Sequence, residues 1–194
     1  MIFSLKLGQF VIPGLWLIAT VAGISCLHKY SGTPAPSGPS KGQWPSGSKM
    51  LPGANISTFI LFLHPHCPCS GASLASMIDI IDKFPLAAKY HAVFVRPKGV
   101  AATWEKSDLY LKCMGIKAIE TSIDDGGEEA KKFGALASGQ TYIYSPQQKL
   151  TFSGGITPGR GEEGSGPERK MVEQALMQST TSTNYSPTFG CSLN

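Results

Sequence analysis

The chain lacks the features that mark several large functional classes. No cluster of lysines and arginines is interleaved with aromatics, and the net charge is only +4, so a nucleic-acid partner is not expected. Five cysteines, Cys26, Cys67, Cys69, Cys113 and Cys191, are too few for a disulfide-scaffold protein. No second paired ligand motif accompanies the two that are crowded together, which argues against structural zinc. The glycine-rich residues 154–166 lack the Gly-Lys-Ser/Thr ending of a phosphate loop. They read as a surface loop in which Arg160 pairs with Glu162 or Glu163 or reaches a substrate. Charged residues make up 15% of the chain and hydrophobic ones 42%, so the body folds rather than staying disordered.

Charge is absent altogether from residues 10–27, FVIPGLWLIATVAGISCL. At ~1.5 Å per residue this run approaches the ~30 Å of a bilayer core, so residues 1–29 read as a membrane anchor. A cleaved signal segment is the rival, but no A-x-A-like site is clear. A lipidated Cys26 is a third reading. Basic residues lie on both sides of the run, Lys6 before it and His28, Lys29, Lys41 and Lys49 after it. The positive-inside rule alone leans toward a cytoplasmic body. Anchors of this shape commonly lead an exported domain, and the extracytoplasmic (periplasmic) side is the expectation. Residues 30–55 are rich in Pro, Gly and Ser and read as an extended tether, with Trp44 packing on the body or lying at a membrane surface.

The body is expected over residues 56–178. STFILFL (57–63) reads as a buried strand. Leu74, Met77, Ile78 and Ile81 recur at helical spacing, and Pro85 lies just beyond them. A second strand over 89–97 follows. A helix over 103–114 has Trp104, Leu111 and Cys113 as inward residues, with core packing the role of Cys113. A strand over 117–123 and a helix over 128–133 come next. A hairpin is then formed by QTYIYS and KLTFSG, and a last helix covers 168–177. The order β-α-β-α-β-α-β-β-α implies one central mixed sheet with helices on both faces. Residues 179–194 form a tail carrying Cys191, docked on the body through Phe189 or frayed.

The chemistry concentrates in LHPHCPCS (63–70), which places two histidines, two cysteines and two prolines in eight residues at a strand end. A cysteine at a helix start sits among unpaired N–H groups and the positive end of the helix dipole, which favour a thiolate. Cys67 is therefore the candidate nucleophile. His66 would tune it or move a proton. A Cys67–Cys69 disulfide would close a very small ring across Pro68 and carry strain; Cys191 is the other candidate partner. A metal reading uses Cys67, Cys69, His64 and His66, with Cys191 able to complete the set, and soft thiolates favour copper. A bland reading has His64 and His66 only bonding backbone at the strand end.

This order, with FLHPHCPCS (62–70) at the first strand-to-helix turn, resembles the thioredoxin superfamily. The resemblance implies a three-layer α/β sandwich with a central mixed sheet, here preceded by a transmembrane helix. It places Cys67 at the nucleophilic position and Ser70 where a second cysteine is usual. Residues 133–155 resemble the second half of that fold, with Gly139 or a neighbour where a cis-proline is usual. HPHCPCS, SGGIT with Arg160, and the late FGC look like the bacterial membrane-anchored proteins labelled RedB. The chemistry of the turn and this fold together give the expectation of thiol–disulfide exchange with protein thiols or disulfides, with Cys67 as nucleophile, Cys69 or Cys191 resolving, His66 tuning the thiolate or moving a proton, and no cofactor. The alternative is copper binding or metal delivery.

Overall fold

The structure, a computed structural model, describes residues 2–164, 166–177 and 182–193. Its contacts divide the chain into two compact units, Met1–Thr33 and Pro34–Asn194.

The first unit is the helix α1 (Ile2–Ser31). Val11–Ser31 has a mean hydropathy of 1.7 and buries none of its residues, so it is long and apolar enough to cross a membrane. Ile12, Trp16, Ile18 and Leu27 expose their apolar side chains, and a helix apolar all round needs an apolar solvent. Its hydroxyls are satisfied internally: Thr20 Oγ1 donates to the Trp16 carbonyl at 2.9 Å and Ser25 Oγ to the Val21 carbonyl at 2.8 Å.

The second unit is built on six strands: β1 (Ser57–Leu63), β2 (Ala88–Arg96), β3 (Ile119–Asp125), β4 (Thr141–Tyr144), β5 (Leu150–Gly154) and β6 (Asn184–Tyr185), in sheet order β3-β2-β1-β4-β5-β6. β1 pairs parallel with β2 and β2 with β3; β4 runs antiparallel to both β1 and β5. Helices α2 (Pro68–Lys83), α3 (Asp108–Met114), α4 (Glu128–Phe133) and α5 (Pro167–Leu176) complete the element order. A β1-α2-β2 crossover followed by an antiparallel hairpin and a closing helix is the thioredoxin-like arrangement, and the fold matches the expectation.

Every residue of β1 is buried, because the strand alternates between two cores. Phe59, Leu61 and Leu63 face Leu74, Met77 and Ile80 of α2 and Val172 and Leu176 of α5. Ile60 and Phe62 face the other way, toward Ala130 and Phe133 of α4, Tyr142 and Tyr144, and Leu193. Among the described residues, the helix on that second face is the six-residue α4, which is too short to cover it. Residues from 34 onward supply the rest.

Several expectations change here. Where Pro, Gly and Ser suggest a free tether, the chain runs along the body. Trp44 packs edge-on against Phe133 at 5.2 Å and Tyr144 at 5.3 Å. Gln43 bridges to Lys149, and Ser48 Oγ donates to the Glu129 carboxylate at 2.6 Å. The third helix begins at Asp108 rather than 103, because Ser107 caps it by accepting from the Tyr110 N–H at 3.2 Å. Trp104 therefore lies in a turn, and Leu111 is 59% exposed rather than inward, while Cys113 is fully buried as expected. β3 starts two residues later than 117 and runs on to Asp125. β6 was not legible: two residues paired with Phe152 and Ser153 leave no periodicity.

Candidate functional site

β1 ends at Leu63, and the HPHCP turn carries the chain into α2. Pro68 takes the first helical position, where its missing N–H costs nothing. Cys67 is the N-cap residue, with extended backbone (φ −92°, ψ 124°) and no side-chain capping bond. Its N–H donates to the His64 carbonyl at 3.2 Å and its carbonyl accepts from the Ser70 N–H at 3.0 Å.

The turn is pinned from below by Ser70, the residue where a second cysteine is usual. Ser70 Oγ donates to the His64 carbonyl at 2.7 Å and lies 2.6 Å from Ser138 Oγ, and the His64 N–H donates to Ser138 Oγ at 3.0 Å. Two buried serines thus tie the turn to the loop before β4. In that loop Gly139 has φ +87° and donates its N–H to the Phe62 carbonyl at 2.8 Å. A Cβ there would also press on Ser73 Oγ at 2.7 Å, so glycine is required twice over. There is no cis peptide among the described residues.

The tail is docked. β6 pairs with β5, the Gly155 N–H donates to the Pro187 carbonyl at 3.3 Å, and the Ala35 N–H donates to the Thr188 carbonyl at 2.7 Å. Ser138 donates to the Cys191 carbonyl at 2.8 Å, the Leu193 N–H donates to the Leu136 carbonyl at 3.0 Å, and Leu193 is buried in the second core. Gly190 passes so close to the Ser138 carbonyl that a Cβ would collide with it.

This docking brings the Cys191 Sγ to 2.8 Å from the Cys67 Sγ. The sulfurs of Cys67, Cys69 and Cys191 all lie within 4.8 Å of one another. All three are free thiols. Cys67 is only 5% exposed and Cys69 8%, so the expected solvent-open nucleophile is instead largely covered, with the tail against it. The electrostatics separate the three. Burial pushes the Cys67 thiol up, but the hydrogen bond shared with the Cys191 sulfur, together with the N–H groups of Cys191, Cys69 and Ser70, reverses this and leaves it below its ordinary value. Cys69 is raised, by burial first and then by the Cys67 charge. Cys191 is pushed up to about 12, by burial and then by its donor bond to Cys67 and that sulfur's charge. Of the three, Cys67 is the one whose thiolate the site favours, while Cys69 and Cys191 are held toward the thiol.

The imidazoles go elsewhere. The His66 Nε2 lies 2.7 Å from the Trp104 carbonyl, and its ring packs on Trp104 at 4.7 Å. The His64 ring also packs edge-on with Trp104 at 5.0 Å and lies 6.2 Å from the His66 ring, and its Nδ1 accepts from the His66 N–H at 3.2 Å. Burial, then the neighbouring His66, holds His64 below the ordinary histidine range. Among the described residues, the group of potential ligand atoms within 4.8 Å of one another holds three sulfurs and no imidazole nitrogen.

Two further residues join the site: Arg160, which the sequence leaves either pairing with Glu162 or Glu163 or reaching a substrate, and Trp104, which it places inward on a helix. Arg160, in the glycine-rich loop, donates from Nη1 to the Gly190 carbonyl at 2.7 Å, and its charge favours the thiolates of Cys69 and Cys191. The loop is part of the site rather than free surface, and only its single arginine hinted at this. Trp104 holds the two histidines, and no local signal marked it.

No protein-family model matches the chain, and no curated protein matches it. Solved structures do. A hypothetical protein from Sinorhizobium meliloti is 16% identical with a TM-score of 0.62, over 81% of this chain and 96% of that one. An uncharacterized conserved protein of Geobacillus kaustophilus is 15% identical with a TM-score of 0.60, over 84% and 94%. A secreted Mycobacterium tuberculosis disulfide oxidoreductase homologous to E. coli DsbE matches at 12% identity and a TM-score of 0.45, over 64% and 82%. At these identities the likeness is one of fold.

Proposed function

We propose that the chain is a membrane-anchored thiol–disulfide exchange protein in which Cys67 is the nucleophile and Cys191 the resolving thiol. The observation that carries this is the Cys67 sulfur at the start of α2, held below the ordinary thiol range and 2.8 Å from the Cys191 sulfur. A thiolate attacks a disulfide, and a second thiol within bonding reach releases the mixed disulfide. Cys69 is the less suitable resolver, because a ring closed through Pro68 resists the disulfide torsion. His66 has Nε2 committed to Trp104, which leaves Nδ1 to exchange a proton with a leaving thiolate. Residues 10–27 would anchor the chain, with the body on the extracytoplasmic side, where disulfides persist. The partners are protein thiols or disulfides. HPHCPCS, Arg160 and FGC, drawn from the stretches that resemble the RedB-labelled proteins, lie together around the three sulfurs, which supports reading them as one functional unit.

A second reading is favoured by the three-sulfur cluster itself. Three thiolates suit a soft ion such as Cu(I), and neither His64 nor His66 would take part. Arg160 would offset part of the negative charge. Cys69 and Cys191 would have to lose protons on binding, so affinity would rise with pH.

Alkylation mapping of the reduced chain tests the exchange reading. Cys67 is expected to react about tenfold or more faster than Cys69 and Cys191 near neutral pH, since its thiol is lowered while theirs are raised. Cys191→Ala, which removes the donor bond, is expected to move the midpoint of the Cys67 rate profile to higher pH. Mild oxidation is expected to give a Cys67–Cys191 disulfide on peptide mapping. Equal slow reaction of all three with no such disulfide defeats the reading. A stoichiometric copper ion on the purified chain, lost in Cys191→Ser, favours the second.

A further inference from the structure

We propose that the substrate is a polypeptide disulfide carried on a neutral or basic segment, that it docks in a cleft which Cys67 shares with neither Cys69 nor Cys191, and that Gly71 and Asp108 decide what enters. This rests on the exchange reading above and adds the side from which the nucleophile is reached.

A cleft of about 340 Å³ opens between the start of α2 and the start of α3, and Cys67 lines it. That volume lies within the range of ordinary ligand sites, enough for a half-cystine and its neighbours. Its walls are Pro65, Pro68 and Leu109, with His66 beside them. Cys69 and Cys191 are absent from its lining among the described residues. Cys67 thus has two accesses: the cleft, and the docked tail that holds the Cys191 sulfur against it. A disulfide arriving by the cleft meets one sulfur only.

Gly71 lines the cleft without a side chain. It lies inside α2, where a glycine weakens the helix. Nothing in its surroundings demands a missing side chain: an added Cβ would have no atom within 4 Å, and its φ is not in the left-handed region. The space left empty is space in the cleft. Asp108, exposed at the start of α3, brings a carboxylate to the rim, and no lysine or arginine lines the cleft among the described residues. Such a site disfavours small anionic disulfides and favours neutral or basic chains.

The exchange balances without a further reactant. Cys67–S⁻ attacks R–S–S–R′, giving Cys67–S–S–R and R′–S⁻. The Cys191 sulfur then attacks Cys67, its proton passing to the departing R–S⁻. The products are Cys67–S–S–Cys191, R–SH and R′–S⁻; the two protein sulfurs are oxidised and the substrate disulfide is reduced. The tail stays docked throughout, and the same path runs in reverse.

The test is a single turnover of the reduced full-length chain in detergent micelles, read as thiol release. Three probes are compared: a disulfide peptide with lysine beside an aromatic residue, its glutamate counterpart, and glutathione disulfide. The lysine peptide is expected to react fastest. Gly71→Leu should slow it by about tenfold or more, with thiolate absorbance and thermal unfolding unchanged. Asp108→Lys should reverse the order of the two peptides, and it decides alone should Gly71→Leu fail to fold. An unchanged rate in a folded Gly71→Leu, or glutathione disulfide outrunning both peptides, overturns the docking inference while leaving the exchange reading standing. Inertness of the unaltered chain toward all three probes overturns both.

Discussion

His91 lies on β2 with 1% of its surface exposed, 3.7 Å from the Glu120 carboxylate. Burial pulls its pKa down to about 4, and the attraction of Glu120 only partly opposes this. The contact is therefore not an ion pair at neutral pH. An unfolded histidine titrates at 6.5, so between there and about 4 the unfolded chain binds a proton that the folded chain refuses. Stability is full above 6.5, falls as pH drops through that window, and is flat below it. The loss is about 3 kcal/mol at most. Thermal melts from about pH 7.5 to about pH 3.5 are expected to show this step, and His91→Leu to remove it.

At the same scale, legibility differs from residue to residue. Cys67 could be picked out because its role depends on what immediately surrounds it: a strand end, a turn, a proline at the helix start. Ser70, Arg160 and Trp104 could not. Ser70 matters through Ser138 and Arg160 through Gly190, partners that are distant in sequence and carry no spacing signal. The crowding of His64 and His66 suggests metal ligands, but a tryptophan forty residues on packs against both rings, and their nitrogens stand outside the sulfur cluster.

Among elements, the tail is the one whose placement most affects chemistry. Its residue 190 is glycine because backbone passes against backbone, the Ser138 carbonyl leaving no room for a Cβ. Gly190→Ala is expected to lift the Cys191 segment. On oxidation followed by peptide mapping, the Cys67–Cys191 crosslink should fall about tenfold or more, with a stability loss of about 1–3 kcal/mol in urea unfolding. Regular elements were readable from periodicity: β1, α2, α4 and the β4–β5 hairpin lie where the apolar pattern puts them. The third helix was overextended because the 103–107 turns have a helix-like composition, and the cap at Ser107 was hidden among other polar residues.

For the molecule as a whole, the second face of the sheet governs what counts as the body. Alpha-helical cover there is one short helix, and Trp44, Met50 and Leu193 fill the remainder. Composition misleads because proline and glycine forbid regular structure without forbidding burial. Trp44→Ala is expected to destabilise the Pro34–Asn194 unit by about 2–3 kcal/mol, measured by urea unfolding. Little change would mean that this segment is laid on the body without holding it. The thioredoxin-like topology was legible because strand order follows from alternation and the closing hairpin, whereas the contribution of irregular flanks does not.

The cluster at the start of α2 holds an odd number of sulfurs. Pairing within it can consume two and must strand the third. Any disulfide closed inside the cluster therefore leaves one sulfur within reach of it, the arrangement that lets a bond be moved from one partner to another.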